Sequence, residues 1–379
     1  MADNKKHHFV PKFYLRMFSE DGFSIKLFNV KAKRTIPRAP LKNQCYRDYF
    51  YGKDGVQEKA LGQIEGAAAE ALRRLVRTEE IPPAGDYDFS TILIYLMVQR
   101  MRTGYQVDTL NEMIDGVMKR AMQHQVSKEE LDRMTIGMAE LSNVAVKRSM
   151  FSYALIHDMQ WLLIKAPAGS EFLTSDTPVV LANPFFPKGG SAAKIGLAHK
   201  GLQLFFPVTP RLSIALFDKE VYRTNGPMVN ERLVVALPAD VHQMNILQAA
   251  NSYENIYFAS DAAAVDAIAK AAERYRPRRK NTQKVFEKNE SDLKRRELIF
   301  SSQESAGFDM TLSFLREKKS AQRWRADFQK LKQWPAVVVR DRELMDAVRS
   351  YEDRESRGEA LPPLLEFLQG KRVPAGPIA

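Results

Sequence analysis

The run "ILIYLMV", residues 92–98, has no polar side to turn toward water. At 3.6 residues per turn its side chains point in every direction, so a helix here must be packed all round. The apolar stretch that contains it, residues 89–98, is about half of what a bilayer span needs. The segment therefore predicts a central buried helix, and a chain of 379 residues is long enough to surround it with a core. The difficulty comes one turn later. Gln99 and Arg102 follow Tyr95 at i, i+4, i+7 spacing, on one face of a helix with no solvated side to receive them.

A partner is available in the preceding helical pattern, residues 56–77. Its apolar stripe is Leu61, Ile64, Ala68, Leu72 and Leu75. At 100° per residue Glu65 lies about 40° from the stripe's centre at Leu61, and Glu58 about 60°. A carboxylate on the core side is costly unless it is paired, hydrogen-bonded or metal-bound. Glu65 and Arg102 are therefore expected to meet, directly or through Gln99. The pair is either an ion pair locking two helices or part of a site.

The rest of the chain sorts into helices and strands. "FSIKLFNV" (23–30) alternates like a strand, "KAKR" turns it, and "TIP" starts a return. Asp54-Gly55 marks a turn before the first helix, and Pro82-Pro83 ends it. The apolar helix begins near Asp88 and runs through Tyr105 toward His124. Residues 127–156 give one or two more helices, with Ser127 and Glu130 as a capping box. Residues 159–167 and 171–176 read as a hairpin, residues 203–210 and 212–218 as a second pair, and 255–260 as a final short strand. Residues 183–201, rich in Gly and Pro, read as a loop. Helical patterns return after 262, including one over 309–334. The fold class expected is α+β: a helical N-terminal half packed on an antiparallel sheet, with a helical basic C-terminal part. The domain expectation is a core over 1–262 and a basic extension over 263–379.

Charge is concentrated in that extension. Residues 274–340 hold 18 Lys and Arg against 8 Asp and Glu, which leaves the remaining chain near neutrality under a formal net charge of +11. A local basic excess fits a phosphate-rich partner, and equally a solvated helical surface. Arg276, Arg278, Arg279 and Lys280 are its densest cluster. Cys45 is the single cysteine, so no internal disulfide can form, and a reducing, cytoplasmic location is expected. The N-terminal residues have charge but no apolar stretch of the secretory kind. Walker, dinucleotide, HExxH, paired CxxC, GxSxG and EF-hand patterns are missing, and Gly189-Gly190 is too isolated to be a phosphate loop.

Two further stretches hold candidate residues. "KKHHFVPKFYLRMF" (5–18) sets His8 and Arg16 among Phe9, Val10, Phe13, Leu15 and Phe18, which are too apolar to leave in water. Once those side chains are pinned, His8 has a fixed direction, expected toward Asp176 or Glu65. In "FLTSDTPVV" (172–180) a strand ends in Ser175-Asp176, which either aims a carboxylate into a cleft or starts a turn. Together with "YFY" (49–51), "QIE" (63–65), "QRMRT" (99–103), "FFPVTP" (205–210) and "MNILQAANSYENIYFAS" (244–260), these stretches resemble the bacterial family catalogued as domain of unknown function 4238. Its pattern is His-x-Val-Pro-x-Phe-Tyr-Leu-Arg, Ile-Glu, Gln-x-x-Arg-Thr and Thr-Ser-Asp-x-Pro, in this order over residues 5–262. The resemblance points to His8, Arg16, Glu65, Gln99, Arg102, Ser175 and Asp176, with His7 at a variable position. It supplies no activity.

Two functions of different class fit these residues. The first is a nuclease-like hydrolase, in the setting of a bacterial defence effector. In it Glu65 and Asp176 hold Mg or Mn, or His8 is the base and Arg102 the transition-state clamp, with Ser175 and Gln99 completing the set. Arg16 contacts phosphate, and the 274–340 segment, with Arg276, Arg278, Arg279 and Lys280, holds the polyanion. The second is a non-catalytic module that senses or binds nucleic acid or a protein. A protein partner or homo-oligomer is left open, and RNA is not distinguished from DNA. Geometry separates the two. His8, Glu65, Arg102 and Asp176 converging in an open cleft would favour the enzyme, and a closed, mutually satisfied set the module.

Overall fold

The computed structural model describes residues 5–137, 141–186, 196–226, 228–260, 262–276, 282–288, 296–302, 308, 310–330, 338–362 and 364–371. The chain opens with β1 (Lys6–His8), a five-residue α1 (Lys12–Arg16), the hairpin β2 (Ser24–Asn29) and β3 (Arg34–Pro40), and β4 (Tyr46–Asp48), which pairs antiparallel with β1. Pro11 ends the extended stretch and starts α1, so the apolar side chains point inward from a strand and a helical turn. Val10, Tyr14, Leu15 and Phe18 are buried.

Five helices follow. α2 (Val56–Thr78) starts after Gly55, whose φ of 70° is the left-handed turn that glycine tolerates. It buries Leu61, Ala68, Ala71, Leu72 and Leu75 against α3 (Tyr87–Met101). α3 is the central helix expected, buried from Phe89 to Gln99 on nearly every side. The single helix expected from Asp88 through Tyr105 is divided. Arg102 takes a non-helical φ, ψ of −92°, 3°, and Thr103 is extended and caps α4 (Gly104–Met122) by accepting from the Gln106 amide. α5 (Lys128–Arg133) has the Ser127–Glu130 capping box, and α6 (Leu141–Ser152) packs on α3.

The second half is built on β5 (Gln160–Lys165), β6 (Thr174–Ser175), β7 (Val180–Ala182), β8 (Gln203–Pro207), β9 (Leu212–Phe217), β10 (Tyr222–Thr224), β11 (Met228–Asn230) and β12 (Leu233–Val235). After these come α7 (Pro238–Asn251), β13 (Asn255–Phe258) and α8 (Ala262–Glu273). One sheet has six strands in the order β11-β12-β5-β9-β8-β7, antiparallel except for the β12–β5 pair. The other has four, β3-β2-β13-β6. The expected β8–β9 pair forms. The expected hairpin of 159–167 with 171–176 does not, because β5 pairs with β9 and β12 while β6 crosses to β13 in the other sheet.

Alternation along the strands makes the six-stranded sheet a divider. Trp161, Leu163, Leu204, Phe206, Ile214 and Leu216 face α3 and the N-terminal segment. Leu162, Ile164, Phe205, Ala215 and Phe217 face the other way, onto Val241, Met244 and Leu247 of α7. That second face is completed by Met310, Leu312, Phe314, Ala321 and Phe328, all beyond residue 262. The C-terminal part is less helical than expected. It contains a hairpin of β14 (Thr282–Lys288) and β15 (Arg296–Ser302), and β16 (Leu315–Glu317) paired with β10. Among the described residues of 309–334, the helix is α9 (Lys319–Gln329). α10 (Arg342–Ser356) and α11 (Leu364–Lys371) pack on residues 154–155. The class is α+β. Among the described residues no helix is long and apolar enough to cross a membrane.

Candidate functional site

Arg102 stands at the break between α3 and α4 and is wholly buried. Its Nη1 donates to Glu65 Oε1 at 2.6 Å, and its Nε and Nη2 donate to Gln99 Oε1 at 3.0 and 2.8 Å. Gln99 Nε2 in turn donates to the Phe9 carbonyl at 3.0 Å. Glu65 and Arg102 thus meet, with Gln99 tying both to the N-terminal strand. Burial opposes the guanidinium charge, but Glu65 together with the Tyr51 and Tyr95 hydroxyls more than offsets it, and the pKa lies above its ordinary value. The Tyr51 and Tyr95 hydroxyls sit beside Arg102 without completing a hydrogen bond, and burial raises both phenol pKa values.

The histidine that joins this chamber is His7, not His8. His7 is buried, stacks on Tyr51 with ring centroids 5.7 Å apart, and accepts from the Tyr51 amide at Nδ1. Glu58 is near it and half-buried. Burial lifts the Glu58 pKa, His7 counters, and the Glu65 charge adds to the lift. Sequence reasoning passed over His7, although strand alternation offered a signal: His7 stands two residues before the buried Phe9, on the same side of an extended chain. The same alternation turns His8 away. His8 makes no hydrogen bond or ion pair with Glu65 or Asp176. It lies by Tyr46 with its Nε2 unpartnered, and burial together with Lys12 lowers its pKa to about 4.

Asp176 is also not aimed into a cleft. Its carboxylate accepts from the amides of Tyr253 at 2.8 Å, Glu254 at 2.6 Å and Asn255 at 3.2 Å, fixing the turn between α7 and β13. Burial raises its pKa to about 6. Ser175 Oγ accepts from the Thr177 amide and from Gln248 Nε2, so it too is structural in its contacts. Glu65 is taken up by Arg102 and Asp176 by the amides of residues 253–255, so the two carboxylates expected to share a metal are each engaged with other partners. Among the described residues no group of three or more His, Cys, Asp or Glu side chains is placed to hold a metal ion. Arg276, expected to contact phosphate, caps the C-terminus of α7 through Ala249 O, Ser252 O and Ser252 Oγ. Arg278, Arg279 and Lys280 lie outside the described residues.

Arg16 is different. It is exposed and lines a pocket of about 550 Å³ with Lys12, Arg38 and Lys42, over Phe23, Pro40 and Leu41. The carboxylate there, Asp21, accepts from Ser19, Ser24 and the Phe23 and Ser24 amides, and lies 3.7 Å from Arg38. The Ser24 hydroxyl and these amides hold its pKa well below the usual range. Lys12, Arg16 and Lys42 have no hydrogen-bonded or ion-paired carboxylate among the described residues. Lys12 and Lys42 carry no motif in the sequence, whereas Arg16 falls in the stretch the family pattern marks.

The model of the family described as "Protein of unknown function (DUF4238)" matches residues 6–262. No curated protein and no solved structure matches the chain.

Proposed function

The chain belongs to the DUF4238 family, and we propose that it is a nucleic-acid-binding module whose phosphate contacts start from the N-terminal segment. The observation that supports this reading is the trio Lys12, Arg16 and Lys42, three cations without a carboxylate partner around one pocket, inside the segment the family shares. Unneutralised cations held close together repel one another, and a polyanion relieves that repulsion by releasing its own counterions. The basic surplus of residues 274–340 adds non-specific attraction. The buried set supports a binding role rather than chemistry: Arg102 is enclosed by Glu65 and Gln99, while His8 and Asp176 stand elsewhere. The test is fluorescence anisotropy with single-stranded RNA, single-stranded DNA and duplex DNA across a salt series. Binding should weaken linearly in log–log form, and Lys12→Ser/Arg16→Ser/Lys42→Ser should flatten the slope by about 2–3. No binding to any of the three at low salt would overturn the reading.

A second reading, a phosphodiester hydrolase, draws support from Glu58. It is a half-buried carboxyl with a raised pKa next to His7, Glu65 and Arg102, the environment in which general acids are found. His7 accepts at Nδ1, which leaves Nε2 as the ring position for a donor. Glu58 is then the group that moves a proton, and no step requires a metal. Incubation with RNA and DNA in Mg²⁺, Mn²⁺ or EDTA tests it. Cleavage that survives EDTA and disappears in Glu58→Gln would support this reading, and intact substrates in all three would end it.

A further inference from the structure

We propose that the pocket bounded by Lys12, Arg16, Arg38 and Lys42 takes the phosphomonoester of a nucleotide, free or at the end of a strand, with its base against Phe23. The proposal rests on the nucleic-acid reading and narrows it to one chemical group.

Charge density comes first. Four cations line the pocket against one carboxylate, Asp21, whose oxygens are already occupied by hydrogen bonds from residues 19–24. Lys12 and Arg16 are i, i+4 on α1, a helix of five residues. Like charges at that spacing destabilise a helix, and a helix this short has little cooperativity to absorb the strain. An anion seated between them turns the repulsion into attraction. An internal phosphodiester brings one negative charge per phosphate, whereas a phosphomonoester concentrates about 1.5 to 2 on three acceptor oxygens. The concentrated charge suits a pocket lined by four cations. Arg16 and Arg38 supply forked donors for two oxygens at once, and Lys12 and Lys42 supply point charges.

The apolar part of the pocket accounts for the rest of the ligand. Pro40 and Leu41 contribute apolar surface, and Phe23 is 82% exposed at the start of the β2–β3 hairpin. An aromatic ring left this open by its own fold has a face available for stacking, and nucleobases stack on such rings irrespective of sequence. A volume of about 550 Å³ lies within the ordinary range of small-ligand pockets. The walls are fixed: Gly22 turns at φ +73°, Asp21 ties residues 19–24 together, and Lys42 rides on a 3-10 turn, Leu41–Asn43. The backbone that carries the cations is therefore held in place around the pocket.

The experiment uses the full chain and one oligonucleotide sequence in three forms: 5′-phosphorylated, 3′-phosphorylated and unphosphorylated. Free nucleoside monophosphate, nucleoside and inorganic phosphate are the competitors. One phosphorylated form should bind at least about tenfold more tightly than the unphosphorylated strand, a margin set by the extra charge-assisted hydrogen bonds. Nucleoside monophosphate should compete better than nucleoside or inorganic phosphate. Arg16→Ser/Lys42→Ser should reduce the phosphorylated strand to the affinity of the unphosphorylated one. Phe23→Ser should remove the advantage of nucleoside monophosphate over inorganic phosphate. All three substituted side chains are exposed, so melting temperatures should stay unchanged and confirm that the variants fold. Displacement by the free monophosphate identifies a soluble nucleotide as ligand, and a preference confined to the phosphorylated strand identifies a strand end. Equal binding of all three oligonucleotides would overturn the proposal while leaving nucleic-acid binding in place. Failure of all three to bind would overturn both.

Discussion

Arg102 and Glu65 were legible in the sequence because burial makes a charge conspicuous: a charged residue on the face of an all-apolar helix demands a partner. Glu65→Ala leaves that guanidinium buried and half-satisfied, and should destabilise by about 3–5 kcal/mol in denaturant unfolding. Replacing both residues with apolar side chains should recover much of the loss, and simple additivity would show that the two are not coupled. The histidines show the reverse case. Adjacent residues on a strand face opposite ways, so choosing between His7 and His8 required knowing which one shared the side of Phe9. The outcome has a pH signature. Folding lowers the His8 pKa from 6.5 to about 4, so its contribution to stability is whole above pH 6.5 and falls away as pH drops toward 4. Asp176, raised from 3.8 to about 6, works in the opposite sense, its contribution whole below pH 3.8 and lost as pH rises through 6. Comparing wild type with His8→Gln isolates the first effect. The wild-type melting temperature should fall relative to the variant between pH 6.5 and 4.5, and parallel curves would place His8 in water.

Helices were easier to anticipate than strand partners. α2, α3 and α5 declare themselves through local periodicity and caps, whereas β5 finds β9 and β12, about 50 and 70 residues away, and nothing local to "MQWLLIKAP" announces either. The break at Arg102 escaped because Thr103-Gly104 is a cap followed by a permissive residue inside an otherwise continuous pattern. α7 yields a test that separates structural from ligand-binding cations. Arg276→Ala removes the guanidinium that closes the helix's last turn, and should cost about 1–3 kcal/mol in thermal or chemical unfolding. Its affinity for nucleic acid should match that of the native chain. Weakened binding at unchanged stability would return Arg276 to the contact surface.

Across the molecule, the family-matched segment ends at 262 but the packing does not. Met310, Leu312, Phe314 and Phe328 cover the sheet face formed by Phe205, Ala215 and Phe217, so the basic stretch is also a wall of the core. Truncation after Arg276 should therefore expose a continuous apolar surface and lose cooperative melting, and a truncated chain that melts sharply would show that residues 1–276 suffice. Charge substitutions, not deletion, are the proper probe of the basic surplus. The N-terminal segment is tied just as widely: Tyr14 Oη donates to the Pro207 carbonyl, 193 residues later, and is hydrogen-bonded to Thr174. On a ribosome adding about 5–20 residues per second, Tyr14 leaves the exit tunnel roughly 10–40 s before its acceptor follows it out. During that interval Val10, Tyr14, Leu15 and Phe18 have no sheet to cover them, and the nascent chain presents them to whatever waits at the tunnel mouth. Slowing translation between codons 18 and 207 should lengthen that exposure and lower the yield of folded protein, whereas slowing it downstream of 330 should matter much less.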